Sequence, residues 1–176
     1  MKPKLAGFLF GDGWTYYDRY SRNYLVGFTQ SHKNLHVKEY YKKLLEEEAA
    51  RKVREHECDI YVSLKRLYYE LKFVKEHPLE YFRSLTLKEK LEFIEGLIDA
   101  EAHVESKRIR IYNKNVDLLT EIKATLELIG VKSYLYKEDV YVLEIKGQHL
   151  KILLSKLNPI KYKLHSHGAA RPSTRA

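Results

Sequence analysis

The sequence predicts a mixed α/β (α+β) fold of two pseudo-symmetric halves, each running helix, two strands, helix, two strands, helix. An acid-tipped, small-residue-rich stretch occurs twice, as Leu5–Gly13 (LAGFLFGDG) and Ile94–Ala102 (IEGLIDAEA). Each copy has small residues at its third and seventh places and a carboxylate at its eighth, and the two carboxylates, Asp12 and Glu101, stand 89 positions apart. Behind each copy the same order of strand and helix signals follows. The 176 residues can bury one full core or two small fused ones.

The elements follow from local chemistry. Gly7 and Gly11 are four apart and share a helix face, and Gly96 and Ala100 form the matching strip. A helical glycine costs about 1 kcal/mol relative to alanine. Close approach of two motif helices along these strips is the simplest compensation. After Asp12, the segments 14–20 and 24–30 favour strand, and Ser-Arg-Asn between them suits a hairpin. Alternation puts Tyr24, Val26 and Phe28 on one face and Leu25, Gly27 and Thr29 on the other. Asn34 can cap a helix over 35–49. A strand pair follows at 51–56 and 59–64, with Ile60, Val62 and Leu64 inward and Lys52, Arg54, His56, Tyr61 and Lys65 outward. The next helix, 66–76, stops before Pro78.

In the second half Thr86 caps a motif helix over 87–101, and strands follow at 103–106 and 108–113. Asn115 caps a helix over 116–129, for which Gly130 is the stop. A hairpin over 131–137 and 140–146 precedes a final helix that ends near Leu157. The halves are therefore expected at 1–85 and 86–165, with a polar tail of disordered character at 166–176. Gln30 and Asn113 occupy matching places 83 apart, so the second hairpin is six residues shorter and the halves are unequal.

Composition narrows the class. There are 32 Lys plus Arg against 24 Asp plus Glu, a net charge of +8, which raises the expectation of a nucleic-acid partner. A single cysteine, Cys58, argues against a disulfide framework and suits a reducing interior. No apolar run reaches membrane-spanning length, and the first residues do not read as a secretory signal. The many Lys, Glu and Tyr, with little Met and Cys, have a thermophile's balance. If the motif helices lie side by side, Asp12 and Glu101 emerge at the same end. Two adjacent carboxylates raise each other's pKa unless a cation lies between them, and oxygen ligands of this kind favour Mg²⁺ or Mn²⁺.

These residues resemble the LAGLIDADG homing endonucleases, specifically the single-chain type with two motif copies. The first copy matches at Leu5, Ala6, Gly7, Asp12 and Gly13. The second matches at Gly96, Leu97, Ile98, Asp99 and Ala100, with Glu101 as the acidic equivalent. The likeness extends over about residues 5–163, and Arg110–Asn115 (RIYNKN) looks like archaeal members. It implies saddle-shaped antiparallel sheets with the motif helices at the central interface. It also implies a monomeric, intracellular, intron-borne enzyme that cuts both strands of a long asymmetric DNA site and leaves short 3′ overhangs. The implied cofactor is Mg²⁺, with Mn²⁺ as a substitute and Ca²⁺ able to occupy the sites without supporting cleavage. Two other uses of the scaffold are a splicing maturase that binds intron RNA and a catalytically silent DNA-binding regulator.

Carried over residue by residue, the resemblance makes Asp12 and Glu101 the metal ligands. Gln30 and Asn113 take the place of polar residues that organise water, and Lys114 is the adjacent base, where the first copy has Ser31. Lys163 resembles a catalytic-pocket lysine and equally fits an ordinary tail lysine. Two positions depart from the pattern. Val104 stands where related enzymes often carry a lysine, and Ala102 replaces the final glycine, which matters only if that backbone needs a positive φ. Asp99, two residues before Glu101, points to another helix face and is expected to serve a polar helix-end role.

The candidate DNA contacts are Arg108, Arg110, Lys107, Lys132, Tyr134 and Arg54, with Tyr136 a weaker one. Arg108 and Arg110 alternate with Ile109 and Ile111, which turns the arginines to the open face. There they can reach guanine in the major groove or a phosphate. Trp14 has the parity of Asp12, which aims it at substrate, while tryptophan ordinarily buries much of its area.

Overall fold

The computed structural model describes residues 1–31 and 34–162. The first half comprises α1 (Pro3–Asp12), β1 (Gly13–Asp18), β2 (Asn23–Thr29), α2 (Leu35–Ala49), β3 (Arg54–His56), β4 (Asp59–Ser63) and α3 (Lys65–Glu76). A short helix, α4 (Pro78–Ser84), leads to the second half. That half comprises α5 (Leu87–Glu101), β5 (Ala102–Glu105), β6 (Arg108–Asn113), α6 (Val116–Leu128), β7 (Tyr134–Lys137), β8 (Tyr141–Lys146) and α7 (Gln148–Lys156). The two sheets have four antiparallel strands each, in the orders β1-β2-β4-β3 and β5-β6-β8-β7, so the halves share one topology.

One face of each sheet is covered by helices and the other is open. Val26, Phe28, Ile60 and Val62 bury into one apolar cluster, with Leu5, Phe8 and Leu9 of α1 and Val37, Tyr41 and Leu45 of α2. Ile109, Ile111, Leu143 and Ile145 bury into the other, with Ile94, Leu97 and Ile98 of α5 and Leu118, Leu119 and Ile122 of α6. The clusters interlock across the middle: Ala6, Val74 and Phe82 belong to the second, and Ala100 packs against the first.

Several segments differ from expectation, each for a local reason. Pro78 does more than end α3. It occupies the first turn of α4, where its fixed φ and missing N–H cost nothing. The first strand stops at Asp18 because its Oδ1 accepts the Tyr20 N–H (2.9 Å) and closes a turn. The segment 51–53 is tied to the end of α2, where Glu46 takes the Arg51 and Val53 N–H groups, so β3 begins at Arg54. Val131 is likewise held by the Leu126 carbonyl, and Gly130, at φ +82°, makes the left-handed turn that ends α6, so β7 begins only at Tyr134. Thr86 and Glu89 form the reciprocal cap that starts α5, and Asn115 caps α6. Asn34 makes no side-chain cap on α2; its amide donates to Gln30 instead (3.3 Å).

The centre of the molecule is the contact between α1 and α5. A Cβ at Gly7 would overlap the Phe93 carbonyl, and a Cβ at Gly96 would overlap the Lys4 carbonyl. These contacts are equivalent under the internal repeat, since Gly96 and Phe93 are the counterparts of Gly7 and Lys4. At the far end a Cβ at Gly11 would lie 2.7 Å from the Ala100 Cβ. The expected strips are therefore in register, and the helices touch backbone to backbone. An ion pair between Lys4 and Glu95 closes the other end of the seam. Gly96→Ala is expected to destabilise the protein by about 1–3 kcal/mol through overpacking, although alanine is the better helix former. Denaturant unfolding would measure this, and a gain in stability would contradict the close contact.

Candidate metal centre and nucleic-acid interface

Asp12 and Glu101 are the last residues of α1 and α5, and the backbone contact brings these two helix ends together. A Cβ at Gly11 would lie 2.9 Å from Oε1 of Glu101, so that carboxylate rests against α1 beside Asp12. Burial, then the neighbouring Glu101 charge, lifts the Asp12 carboxyl from 3.8 to about 6. Burial also raises Glu101. Both shifts mean that the ionised pair is held at an energetic cost. Among the described residues no three His, Cys, Asp or Glu side chains cluster, so two carboxylates are the ionic donors at this centre. An oxygen-only pair at a half-buried helix junction suits a divalent ion that takes its remaining ligands from water and phosphate.

Two lysines complete the charge arrangement, and the sequence reading missed both. Lys75, in the last turn of α3, donates from Nζ to the Phe10 carbonyl (2.9 Å). Lys161, beyond α7, places its Nζ 3.4 Å from the Ala100 carbonyl. Each ammonium thus meets a carbonyl in the last turn of a motif helix, where the helix dipole favours a cation. Burial lowers both pKa values, while the Asp12 and Glu101 charges oppose that shift. No local signal marks either one: Lys75 lies on a third helix, and Lys161 lies past the end of α7 and is not its counterpart under the repeat. Lys163, the lysine expected here, lies outside the described residues, as does the 166–176 tail.

Asp99 explains how Lys161 is held. It is 1% exposed; its Oδ1 accepts the Lys161 backbone N–H (2.8 Å) and its Oδ2 accepts the Tyr41 hydroxyl (2.7 Å). Its polar role at the helix end therefore joins α5, the α2 helix of the other half and the segment that carries Lys161. Gln30 and Asn113 divide in behaviour. Gln30 Nε2 donates to Asp12 Oδ2, whereas Asn113 Oδ1 accepts the Asn115 N–H (2.9 Å). Asn113 and Lys114 line one cleft with Glu101 and Tyr112. Val104 is a core side chain, buried among Ile109 and its neighbours, and is not aimed at the acids. Ala102 has φ −85°, so alanine fits there without strain.

The open sheet faces carry the candidate contacts. Register places Arg110 directly between His103 and Glu144, and Arg108 between Glu105 and Lys146, while Ile109 and Ile111 are fully buried beneath. Tyr134 lies beside Glu144 and Tyr136 beside Val142 on the same face. Lys107 is exposed in the β5–β6 turn and Lys132 is exposed just before β7. In the first sheet Trp14, Gly27, Tyr61 and Arg54 form one row. Trp14 is half-buried there, its ring 6.1 Å from that of Tyr61, which joins the two expectations for it: it packs, and it does so on the open face.

This is the architecture of a two-motif LAGLIDADG protein, and comparison with known proteins agrees. Residues 88–158 match the LAGLIDADG-like domain family. The chain is 34% identical over 177 residues to homing endonuclease I-DmoI of Desulfurococcus mucosus, covering 89% of each chain. The solved structure of I-DmoI with DNA and Ca superposes with a TM-score of 0.71 at 26% identity, over 94% of this chain and 96% of that one. I-DmoI with DNA and Mn gives 0.69 at 29% identity, over 89% and 96%. Full-length DUF199/WhiA from Thermatoga maritima shares the fold alone, at 11% identity and a TM-score of 0.61 over 95% of this chain and 60% of that one. The chain belongs to the LAGLIDADG homing endonuclease family.

The raised Asp12 pKa has a direct consequence for the metal-free protein. Between 3.8 and about 6 the folded state keeps a proton that the unfolded chain releases, so stability falls as pH rises through this window. A shift of this size corresponds to a loss on the order of 3 kcal/mol. Asp12→Asn is therefore expected to be more stable than the parent at neutral pH in chelator and to show a weaker pH dependence, with the share from the buried Glu101 and Asp99 carboxyls remaining. Thermal unfolding across the window checks this, and an Asp12→Asn protein no more stable at neutral pH would contradict it.

Proposed function

We propose that the protein is a site-specific double-strand DNA endonuclease of the homing type, which hydrolyses phosphodiester bonds with divalent metal ions. The observation that carries this is the convergence of Asp12 and Glu101 from two equivalent helix ends, at the junction of two open sheet faces in a basic chain. I-DmoI has been solved with DNA and Mn and with DNA and Ca, and a variant of it with its target DNA and Mg. We take Mg²⁺ as the working ion and Mn²⁺ as its substitute. One chain supplies both halves, so it acts as a monomer on a target without symmetry. No described helix is long and apolar enough to cross a membrane.

Hydrolysis needs a positioned water, stabilisation of charge on the phosphate and a proton for the departing oxygen. Asp12 and Glu101 would hold divalent ions, which would supply charge neutralisation and a lowered pKa for bound water. The protein's own groups have separate tasks. Gln30 orients the Asp12 carboxylate through its amide, and Asn34 holds the Gln30 carbonyl oxygen. Lys75 and Lys161 each spend one donor on a helix carbonyl and keep the rest for oxygens at the site, where their charge offsets that gathered on the phosphate. Lys114, beside Glu101 in its cleft, and Asn113 serve the second strand's phosphate. Arg54, Lys107, Arg108, Arg110, Lys132 and Tyr134 contact DNA along the two sheets.

Incubation with DNA that spans its own insertion junction is expected to give a double-strand cut with Mg²⁺ or Mn²⁺ and none with EDTA. Asp12→Asn and Glu101→Gln should each bind DNA yet lose the cut. Near-normal cutting by either would remove it as a metal ligand, and RNA-dependent activity without DNA cleavage would favour the maturase reading. Lys161→Met should lower the cleavage rate by about tenfold or more, with DNA affinity little changed; an unaltered rate would take Lys161 out of the site. DNA affinity should fall steeply with salt through counterion release, and a flat salt response in a binding titration would contradict contact along the phosphates.

A further inference from the structure

The second sheet presents its arginines to the DNA face already fixed by carboxylates. Glu105 takes Nε of Arg108 on one oxygen (2.8 Å) and NH2 of Arg110 on the other (3.1 Å). His103 Nε2 also approaches it, at 3.2 Å. Glu144 holds Lys146 (2.8 Å) and stands 3.8 Å from NH1 of Arg108. Register puts Glu144 straight across from Arg110. On a surface built to meet phosphates, two acids are a cost: each repels the duplex and uses cationic charge that would otherwise neutralise phosphates. A purely electrostatic grip would omit them.

What the acids provide is direction. Each free arginine fork has many rotamers and meets phosphate and base alike. A fork with one donor already held by a carboxylate, as Nε of Arg108 and NH2 of Arg110 are by Glu105, has fewer rotamers left and its remaining N–H groups aimed one way, so part of the entropy of fixing it is lost before binding. Arginine that reads a base does so through two parallel hydrogen bonds to guanine O6 and N7, a contact with strict orientation. Phosphate contacts tolerate freer geometry and carry no sequence information. Among the described residues the first sheet shows no such grid. Its corresponding row is Trp14, Gly27, Tyr61 and Arg54, with one exposed charge at the edge.

We propose that Glu105, aided by Glu144, is a specificity-determining positioning residue: it holds Arg108 and Arg110 for guanine readout in the half-site under the second sheet. This rests on the DNA-endonuclease reading. The acid thus exchanges sequence-independent affinity for discrimination at one or two G·C pairs, and only on that side of the target.

The test selects duplexes from a randomised library with the full chain in Ca²⁺, which holds complexes uncut, and then measures binding and Mg²⁺-dependent cutting of the selected site. The parent is expected to fix at least one G·C pair on the second-half side. Glu105→Gln should bind random duplex as tightly or more tightly, while its preference at that pair falls about tenfold. Preferences on the first-half side should stay as they were. Glu144→Gln should act at the same or an adjacent pair. Thermal unfolding of both variants separates this from damage to the fold, which would weaken both halves of the site together. If the parent selects and cuts a site, but both variants select it with equal sharpness at every pair, the positioning role is wrong and the nuclease reading stands. If discrimination declines evenly along the site, the positioning role is also wrong. If the parent selects no site and makes no metal-dependent cut, both fail.

Discussion

The backbone contact between α1 and α5 sets the geometry of everything else in the molecule. Two helices meet with the Gly7 and Gly96 Cα atoms against the carbonyls of Phe93 and Lys4. No side chain larger than hydrogen fits at either place. That closeness makes the helix ends neighbours, and the helix ends carry Asp12 and Glu101. The same contact fixes the two sheets relative to each other, since each motif helix belongs to the core beneath one sheet and touches the other core. A glycine, unfavourable in an isolated helix, here stabilises the assembly because the packing it permits outweighs the local propensity.

The proposed cation centre is a balance of like and unlike charges. Two half-buried carboxylates face each other, and burial raises both pKa values. Two half-buried ammoniums sit on the last carbonyls of the same helices, and their pKa values are lowered by burial. Neither set is comfortable without the other, and a cation held among the oxygens would relieve the remaining repulsion. The halves are not equal partners. Gln30 engages Asp12, whereas Asn113, one methylene shorter, bonds within its own turn. An asymmetric centre under two unlike reading faces fits a target whose two halves differ.

Much of this was legible in the sequence because the determinants are local and repeated. The glycine strips, the acids, Thr86 with Glu89 and the alternation of Ile109 and Ile111 with arginine each state their role within a few residues. What was hidden depends on the chain returning from far away. Lys75 reaches the acids only through the packing of α3, and Lys161 only through the segment beyond α7 that Asp99 holds; neither stretch stands out in sequence. Asp99 reads as a helix-end polar residue until Tyr41, 58 positions away, and the backbone of Lys161 close on it. Helix α4 was obscured because proline serves equally as a stop and as a first-turn residue. The edge strands β3 and β7 came out short because nearby helix ends captured their first backbone groups. The ion-pair grid on the second sheet needed the strand register, which places Glu144 against Arg110 across 34 positions.

The central claim is that the two motif helices build one shared cation site on DNA. Anomalous diffraction from crystals of the protein with a bound duplex and Mn²⁺ tests it directly. Manganese peaks are expected within about 2.2 Å of carboxylate oxygens of both Asp12 and Glu101, against phosphate oxygens of the duplex. Manganese held elsewhere on the chain, with Asp12 and Glu101 making no bond to it, would rule out a shared site at the two helix ends.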